Sequence, residues 1–399
     1  MCRMKTRLIV LNILIRVMIV ARSDFSATRD DDIDRLLKKL NKPALKSMKM
    51  RPSSYPEEWS NLSSNSKEQP STVTQLWTIN GKCPKNSIPI IRTRREDILR
   101  AESIERYGKK YFNNIHNLKQ ENATEYHEYA IIKVKGKFYG GRALINVWKP
   151  FVQTTREFSL AQMWVMGGIH DSQFNTIEAG WQVYPNRYND TKPHYFIYWT
   201  SDGYQTTGCY NLACPGFVLI NQKFAIGAPV REVSTLDGQQ YHIPTTIWKD
   251  PRSGHWWLKF STHTLVGYWP ASLFNKFQNG ATEVHWGGEI LDFKDGSRHS
   301  WTQMGSGRFA KEGYQKASYF RNVEVINERE IPQQPVGAYP VATHKNCYTV
   351  ELGNHLVWGT FFYHGGPEAP SFAQLGYYNH LYSIHGLYRH YRNVVVFCS

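Results

Sequence analysis

A chain of 399 residues has room for one large domain with an appendage, or for two domains. Hydrophobic content of 41% and aromatic content of 14%, with 24 Tyr, 13 Trp and 29 Gly, favour a packed β protein over a helical bundle. The net charge of +15 comes without zinc-finger spacing, an aromatic RNA-binding signature or a basic zipper, so no nucleic-acid partner is expected and the charge reads as a solvated surface.

The first 23 residues have a basic start, an apolar stretch from Leu8 to Ala21 and a small-residue exit at Ser23, the pattern of a secretory signal. Arg16 and the short span argue against a membrane helix, and no later segment is long and apolar enough to cross a bilayer. Residues 24–120 differ in character from the rest of the chain. Ile33, Leu36, Leu37 and Leu40 recur at helical spacing, Arg51 to Val73 reads as a Ser/Pro/Asn-rich linker, and Gln75–Pro84 and Ser87–Thr93 read as short strands. Glu96 to Tyr107 reads as a brief helix.

From His127 onward the pattern is one of repeated short strands: Tyr129–Lys135, Gly141–Trp148, Gln162–Met166, Thr176–Val183, Tyr195–Thr200, Gly216–Ile220, His255–Phe260, Glu283–Leu291 and Tyr319–Ile326. Turn signals such as Gly140-Gly141, Asp202-Gly203 and Asp295-Gly296 separate them. Many strands without long intervening helices predict an all-β antiparallel sandwich or barrel, preceded by a small mixed segment.

Two glutamates stand out, Glu178 in Asn175-Thr-Ile-Glu-Ala-Gly-Trp-Gln-Val183 and Glu289 in Val284-His-Trp-Gly-Gly-Glu-Ile290. Each is flanked by apolar, aromatic and glycine residues, where an ionised carboxylate is costly unless paired or protonated. Two such groups brought together would push their proton affinities apart, leaving one as base and one as acid. Along a strand Glu178 shares its face with Gly180 and Gln182, while Gly287-Gly288 lets a substrate backbone approach Glu289. The plainer reading of each is a half-exposed strand carboxylate. Gln182, Gln303, Trp286 and Tyr198 are candidates for substrate or oxyanion contacts, with a structural amide as the default for both glutamines.

There is no His-Glu-x-x-His, Gly-x-Ser-x-Gly, phosphate-binding loop or dinucleotide fingerprint, so no metal and no cofactor is expected. Of six cysteines, Cys2 falls in the signal. Cys209 and Cys214 are expected to form a local disulfide, since zinc would need two further ligands that do not cluster there. Asn61, Asn122 and Asn189 head glycosylation triplets.

The motifs Glu178–Val183, Tyr198-Trp-Thr-Ser-Asp202, Thr207-Gly-Cys-Tyr-Asn-Leu212, Trp248-Lys-Asp-Pro251, Gly267-Tyr-Trp-Pro270, Trp286-Gly-Gly-Glu289, Thr302-Gln-Met-Gly-Ser-Gly307 and Ala317-Ser-Tyr-Phe-Arg-Asn322 occur in one order. Together they make the chain resemble the neprosin family of secreted plant glutamic peptidases from about His127 to Gly366. The resemblance implies a β-sandwich of two antiparallel sheets and a catalytic pair, carried here by Glu178 and Glu289. It also implies acid activity, cleavage after proline, and synthesis as a zymogen whose propeptide, resembled by Gln75 to Ala101, is removed on maturation. The expected organisation is a signal peptide (1–23), an internally shortened activation propeptide (24–120), a catalytic domain (125–366) and a divergent tail (367–399).

Two departures from the family pattern concern the ends. The propeptide lacks a stretch that usually carries its own cysteine, which leaves Cys83 without that partner. The tail replaces a segment whose cysteine would pair with the counterpart of Cys347, and a Cys347–Cys398 bridge is one substitute. The expected function is a secreted, monomeric, acid-active endopeptidase acting on proline-containing peptides, inhibited by its own propeptide, located extracellularly, in the cell wall or in the vacuole. The alternatives are a carbohydrate-active or wall-polysaccharide-binding sandwich, and an interaction protein that has lost catalysis.

Overall fold

A computed structural model describes residues 29–41, 50–57, parts of 71–110, 125–168, 173–261, 264–293, 299–367 and 396–398. The leader, Asn61, Asn122 and nearly all of the tail lie outside the described residues. Among the described residues no helix is long and apolar enough to cross a membrane.

Two sheets form the body. The seven-stranded one runs Tyr339–Ala342, Glu125–Phe138, Ala281–Phe293, Phe158–Gly167, Asn175–Val183, His194–Thr200 and Cys209–Tyr210. The ten-stranded one has the path Thr349–His355, Gly359–Gly365, Ser318–Ile326, Gly140–Asn146, Tyr241–Lys249, Trp256–Phe260, Thr264–Trp269 and Val218–Leu219, with Ser71–Thr72 and Pro332–Gln333 at its side. Every pairing is antiparallel except that of Ser71–Thr72 with Tyr241–His242. The expected two-sheet antiparallel architecture is therefore observed.

Strand alternation sorts side chains into two layers. Ala161, Met163 and Val165 join Ile177, Ala179, Trp181 and Val183 in the main core, which also takes in Ile243, Ile247, Val266 and Trp269 of the facing sheet. Burying such side chains contributes about 1.5–3 kcal/mol each. The alternate residues, among them Leu160, Trp164, Phe196, Tyr198 and Tyr210, build a second apolar layer on the outer face. Asn175–Val183 is consequently buried along its whole length, although its sequence alternates like a half-exposed strand.

The outer layer is covered by the N-terminal segment. A helix at residues 29–40 matches the periodicity and buries Ile33. The helix expected from Glu96 to Tyr107 stops after Arg95–Arg100 and continues as turns. The segment also reaches the ten-stranded sheet, where Met50 packs on a cluster containing Trp248 and Trp257 and Arg142 donates to the Glu57 carbonyl at 2.7 Å, and Gln75 exchanges hydrogen bonds with Ala225 at 2.8 Å in both directions. The Tyr210 N–H bonds to the Gly108 carbonyl at 2.7 Å, which ties the end of this segment to the outer face.

The cysteines divide clearly. Cys209 and Cys214 are bonded, as expected. Cys83 is in a disulfide, correcting the expectation that it lacks a partner. Cys347 is a free thiol, so the Cys347–Cys398 bridge does not form. The Val396–Cys398 strand of the tail pairs instead with Pro89–Ile91 of the N-terminal segment.

The spacing of the outer-face strands depends on Gly180. A Cβ there would lie 2.1 Å from the Ala161 carbonyl oxygen and 2.6 Å from the Gln162 Cα, both backbone atoms with no freedom to yield. Gly180→Ala is expected to cost about 1–3 kcal/mol by overpacking, a fall of roughly 2–4 °C in Tm per kcal/mol at this size. An unchanged melting curve would contradict this strand spacing.

Candidate active site

The cross-strand register places the two glutamates on one face of one sheet. Glu178 pairs with Trp164, and Trp164 with His285; Glu289 pairs with Leu160, and Leu160 with Gln182. Between these two rows lies a third, in which Gln162 has Gly180 on one side and Gly287 on the other. The glutamates thus stand diagonally across a trough whose flanks carry no side chains and whose floor is the Gln162 amide. Such a trough admits an extended backbone.

Each carboxylate is fully buried but differently held. Glu178 Oε1 accepts from Thr176 Oγ1 at 2.9 Å and from the Tyr204 hydroxyl at 2.5 Å, and its Oε2 accepts from Gln162 Nε2 at 3.0 Å. Glu289 Oε1 is 2.6 Å from His127 Nδ1 and 3.5 Å from the Tyr129 hydroxyl. Burial, then the charges of Glu289 and Glu178, push the Tyr129 phenol well above its usual range. Burial and the Glu178 charge do the same to Tyr204. Both phenols therefore remain proton donors, and Tyr129 feels both carboxylates.

The remaining partner of Glu178 comes from the covering segment. Lys110 Nζ lies 2.5 Å from Glu178 Oε2 with both side chains out of solvent. The ammonium also sits 5.0 Å from the centre of the Tyr198 ring, and the Lys110 backbone N–H donates to the Tyr198 hydroxyl at 3.1 Å. Burial alone would lower the Lys110 pKa, but the charges of Glu178 and Glu289 outweigh it and leave the pKa raised. A lysine with a raised folded pKa contributes stability that is present below its unfolded value and lost only as the pH rises through the folded one. Acid therefore does not release this contact through Lys110 itself. Beside it, a cavity of about 270 Å³ between the segment and the sheet is lined by Arg92, His127, Phe158, Arg187 and Tyr210, among others.

Tyr204 is presented by a strained loop. Its φ of +64° is in the left-handed region, which costs an ordinary side chain about 1–2 kcal/mol. Asp202 holds that loop: its carboxylate accepts from the Thr206 N–H at 2.8 Å, the Thr206 hydroxyl at 2.6 Å, the Thr207 N–H at 2.9 Å and the Thr207 hydroxyl at 2.7 Å. Burial would raise the Asp202 pKa, but these hydrogen bonds prevail and depress it to about 2.

The other expected residues divide. Tyr198 and Gln182 lie on the outer face, with Gln182 Nε2 3.4 Å from the Tyr210 hydroxyl and its Oε1 without a hydrogen-bond partner. Trp286 is a correction: it points the other way and is fully buried in the main core, because it lies an odd number of positions from Glu289. Gln303 takes the structural role that was its default, not the substrate contact for which it was a candidate. Its Oε1 accepts from the Phe151 N–H at 2.8 Å, so its amide clasps a loop. Asn189 is exposed at the end of the Pro185–Tyr188 helix. Lys110, His127, Tyr129, Gln162, Thr176 and Tyr204 were not identified from the sequence. Among these, Thr176, two positions from Glu178 on the same strand, and Gln162 could have been found by strand parity.

Residues 155–367 match the family model described as Neprosin, and residues 37–133 match the one described as Neprosin activation peptide. Lys110 thus falls in the activation-peptide match. The pair of matches supports a peptidase with an N-terminal activation segment. Among solved structures, the chain is similar to a scytalido-glutamic peptidase with a peptide-based transition-state analog, at 14% identity, 60% of this chain, 97% of that chain and a TM-score of 0.33. It is also similar to SCP-B, a member of the Eqolisin family of peptidases in a complex with the tripeptide Ala-Ile-His, at 13% identity, 60% and 96% coverage and a TM-score of 0.32.

Two outcomes test the site. Lys110→Ala leaves the buried Glu178 carboxylate without its cation, a loss of about 3–5 kcal/mol when a buried pair is broken. At neutral pH the variant's N-terminal segment should be cut by an added protease at least about tenfold faster than the parent's, and equal rates would show that the ion pair does not hold the segment. A depressed carboxylate pKa gives stability that is present above the unfolded value and lost as pH falls through the folded one. Asp202→Asn should therefore lower Tm at pH 5, and the gap from the parent should close toward pH 2; a gap that persists there would remove the charge-based explanation.

Proposed function

We propose, for a chain that belongs to the neprosin family, that Glu178 and Glu289 are a catalytic pair hydrolysing peptide bonds after proline in acid, and that the protein is made as a secreted, monomeric zymogen. The observation that carries this reading is the placing of both carboxylates on one face, across a trough flanked by Gly180 and Gly287, with an activation-segment ammonium seated on one of them.

In the active form one glutamate takes a proton from a water that attacks the scissile carbonyl. The other, protonated, donates to the carbonyl oxygen or to the departing amine, so that the proton gained from water is balanced by the one given up. Positioned acid–base groups contribute roughly 10²–10⁴-fold in rate. Gln162, at the floor of the trough and bonded to Glu178 at 3.0 Å, is placed to orient the water, and Tyr129 to donate toward a developing oxyanion. Tyr129, Trp164, Phe196 and Tyr198 line this face, and flat aromatic surfaces suit a pyrrolidine ring. Lys110 occupies the region where substrate would lie, which accounts for latency. The exposure of Asn189 is compatible with a glycan on an exported protein.

The reading is tested with acid-matured protein and paired peptides that differ only in proline or alanine before the cleaved bond, assayed at about pH 3–5, near the reference carboxyl range. Glu178→Gln and Glu289→Gln should each reduce kcat/KM by at least about 100-fold, with the proline peptide preferred by the parent. Retained activity in either variant would remove the pair from catalysis. Hydrolysis of oligosaccharides with peptides left intact would replace the peptidase by a glycosidase.

A further inference from the structure

On the other side of the strand from Glu289, side chains from separate segments converge beside Ala130, Ile290 and Tyr348. The donor atoms of Glu128, Asp292 and His299 lie within 4.8 Å of one another, and so do those of His299, His344 and Cys347. Asp292 is the most telling member. It is fully buried, and neither of its oxygens makes a hydrogen bond of ordinary geometry. Among the described residues, the Ser300 backbone N–H is directed toward it and His299 Nε2 lies 3.8 Å away. Glu128 Oε2 is also without a partner, while its Oε1 is 3.0 Å from His299 Nε2 and 3.2 Å from His344 Nδ1.

His299 stands between the two carboxylates. Its Nδ1 is 2.6 Å from the Ser300 carbonyl oxygen, which can only accept, so Nδ1 carries a hydrogen. With Nδ1 so fixed, Nε2 faces Glu128 at 3.0 Å and Asp292 at 3.8 Å, where a proton or a metal ion held on Nε2 would bring positive charge between the two carboxylates. A backbone carbonyl that fixes one ring nitrogen and leaves the other to face the ligand is the usual preparation of a metal-binding histidine. The separations of 3.0 and 3.8 Å between His299 Nε2 and the two carboxylates lie near the edges of about 3.3–3.8 Å of a tetrahedron with bonds of roughly 2.0–2.3 Å. The Cys347 sulfur lies within 4.8 Å of the donor atoms of His299 and His344, so His299 is common to both sets.

We propose that Glu128, Asp292, His299 and Cys347 bind one divalent transition ion of the zinc class, with His344 as an outer partner of Glu128. Mixed nitrogen, sulfur and oxygen donors select such an ion over calcium or magnesium. The site is structural. It ties the Glu125–Phe138 and Ala281–Phe293 strands, which carry His127, Tyr129 and Glu289, to the segments around residues 299 and 344–347. It is independent of the peptidase reading, since its signature is spectroscopic.

The test uses the full-length chain, freed of metal by chelator and then titrated at neutral pH with Co²⁺ by absorbance and with Zn²⁺ by calorimetry. One ion per chain and a thiolate-to-cobalt band are expected in the parent. Cys347→Ser should abolish the band. His299→Asn and Asp292→Asn should weaken Zn²⁺ binding beyond the roughly 10–100-fold typical of outer-shell changes, while the control His355→Asn leaves it unaltered. A parent without the band, or binding equally tight in Asp292→Asn, would overturn the proposal; the first result would mean that a proton on Nε2 balances the carboxylates instead. Circular dichroism confirms that each variant is folded. Should Asp292→Asn fail to fold, the half-exposed Cys347→Ser decides alone.

Discussion

A carboxylate in the middle of an apolar sheet face has to be compensated, and the structure is arranged around how Glu178 is. Its oxygens take up a threonine hydroxyl, a phenol, a side-chain amide and an ammonium. The first three belong to the sandwich and stay with it, while the fourth belongs to the N-terminal segment. A buried ion pair is a weak source of net stability but costly to break from one side, which is the behaviour wanted of a removable plug. While Lys110 is present the charge is neutralised and the trough is filled. Once it leaves, a carboxylate and three oriented donors remain, ready to bind something polar.

The same strands do two jobs because their alternation separates them. Residues of one parity fill the core between the sheets, and those of the other parity build the outer face. Glycines 180 and 287 interrupt only the outer layer, so the trough is opened without thinning the core. The backbone carbonyls that approach these glycines leave no space for a larger residue. Close strand spacing and an open floor therefore have a single cause.

How much of this was legible in the sequence depends on the range of each interaction. Strand alternation is local, and the segments Thr176–Val183, Tyr195–Thr200 and Tyr319–Ile326 were found to within a residue of their observed ends. Tyr241–Lys249 was missed because Pro244 argues against a central strand; it sits just outside the Thr245–Lys249 stretch that pairs with Trp256–Phe260, where no N–H is needed. The misplacement of Trp286 was avoidable, since parity alone puts it opposite Glu289. Lys110 was not legible: nothing near it in the chain marks it, and its meaning comes from a partner in a distant strand. The cluster around His299 is hidden in the same way, its members drawn from four separate segments with none of the spacings that advertise a metal site.

Acidity then sorts the groups around the trough. Lys110 holds its proton more tightly than a free lysine, and Tyr129 and Tyr204 keep theirs, so none of these changes charge between neutral and acidic conditions. Asp202 stays ionised down to about 2, so the loop presenting Tyr204 keeps its shape in mild acid. A proton placed on Glu178 removes the charge that compensates Lys110 and leaves a buried ammonium facing a neutral carboxyl, an arrangement that favours the departure of the segment. Were Glu178 the glutamate that acts as the acid, the proton that arms it would also weaken the plug, and release and activity would be coupled through a single carboxyl group.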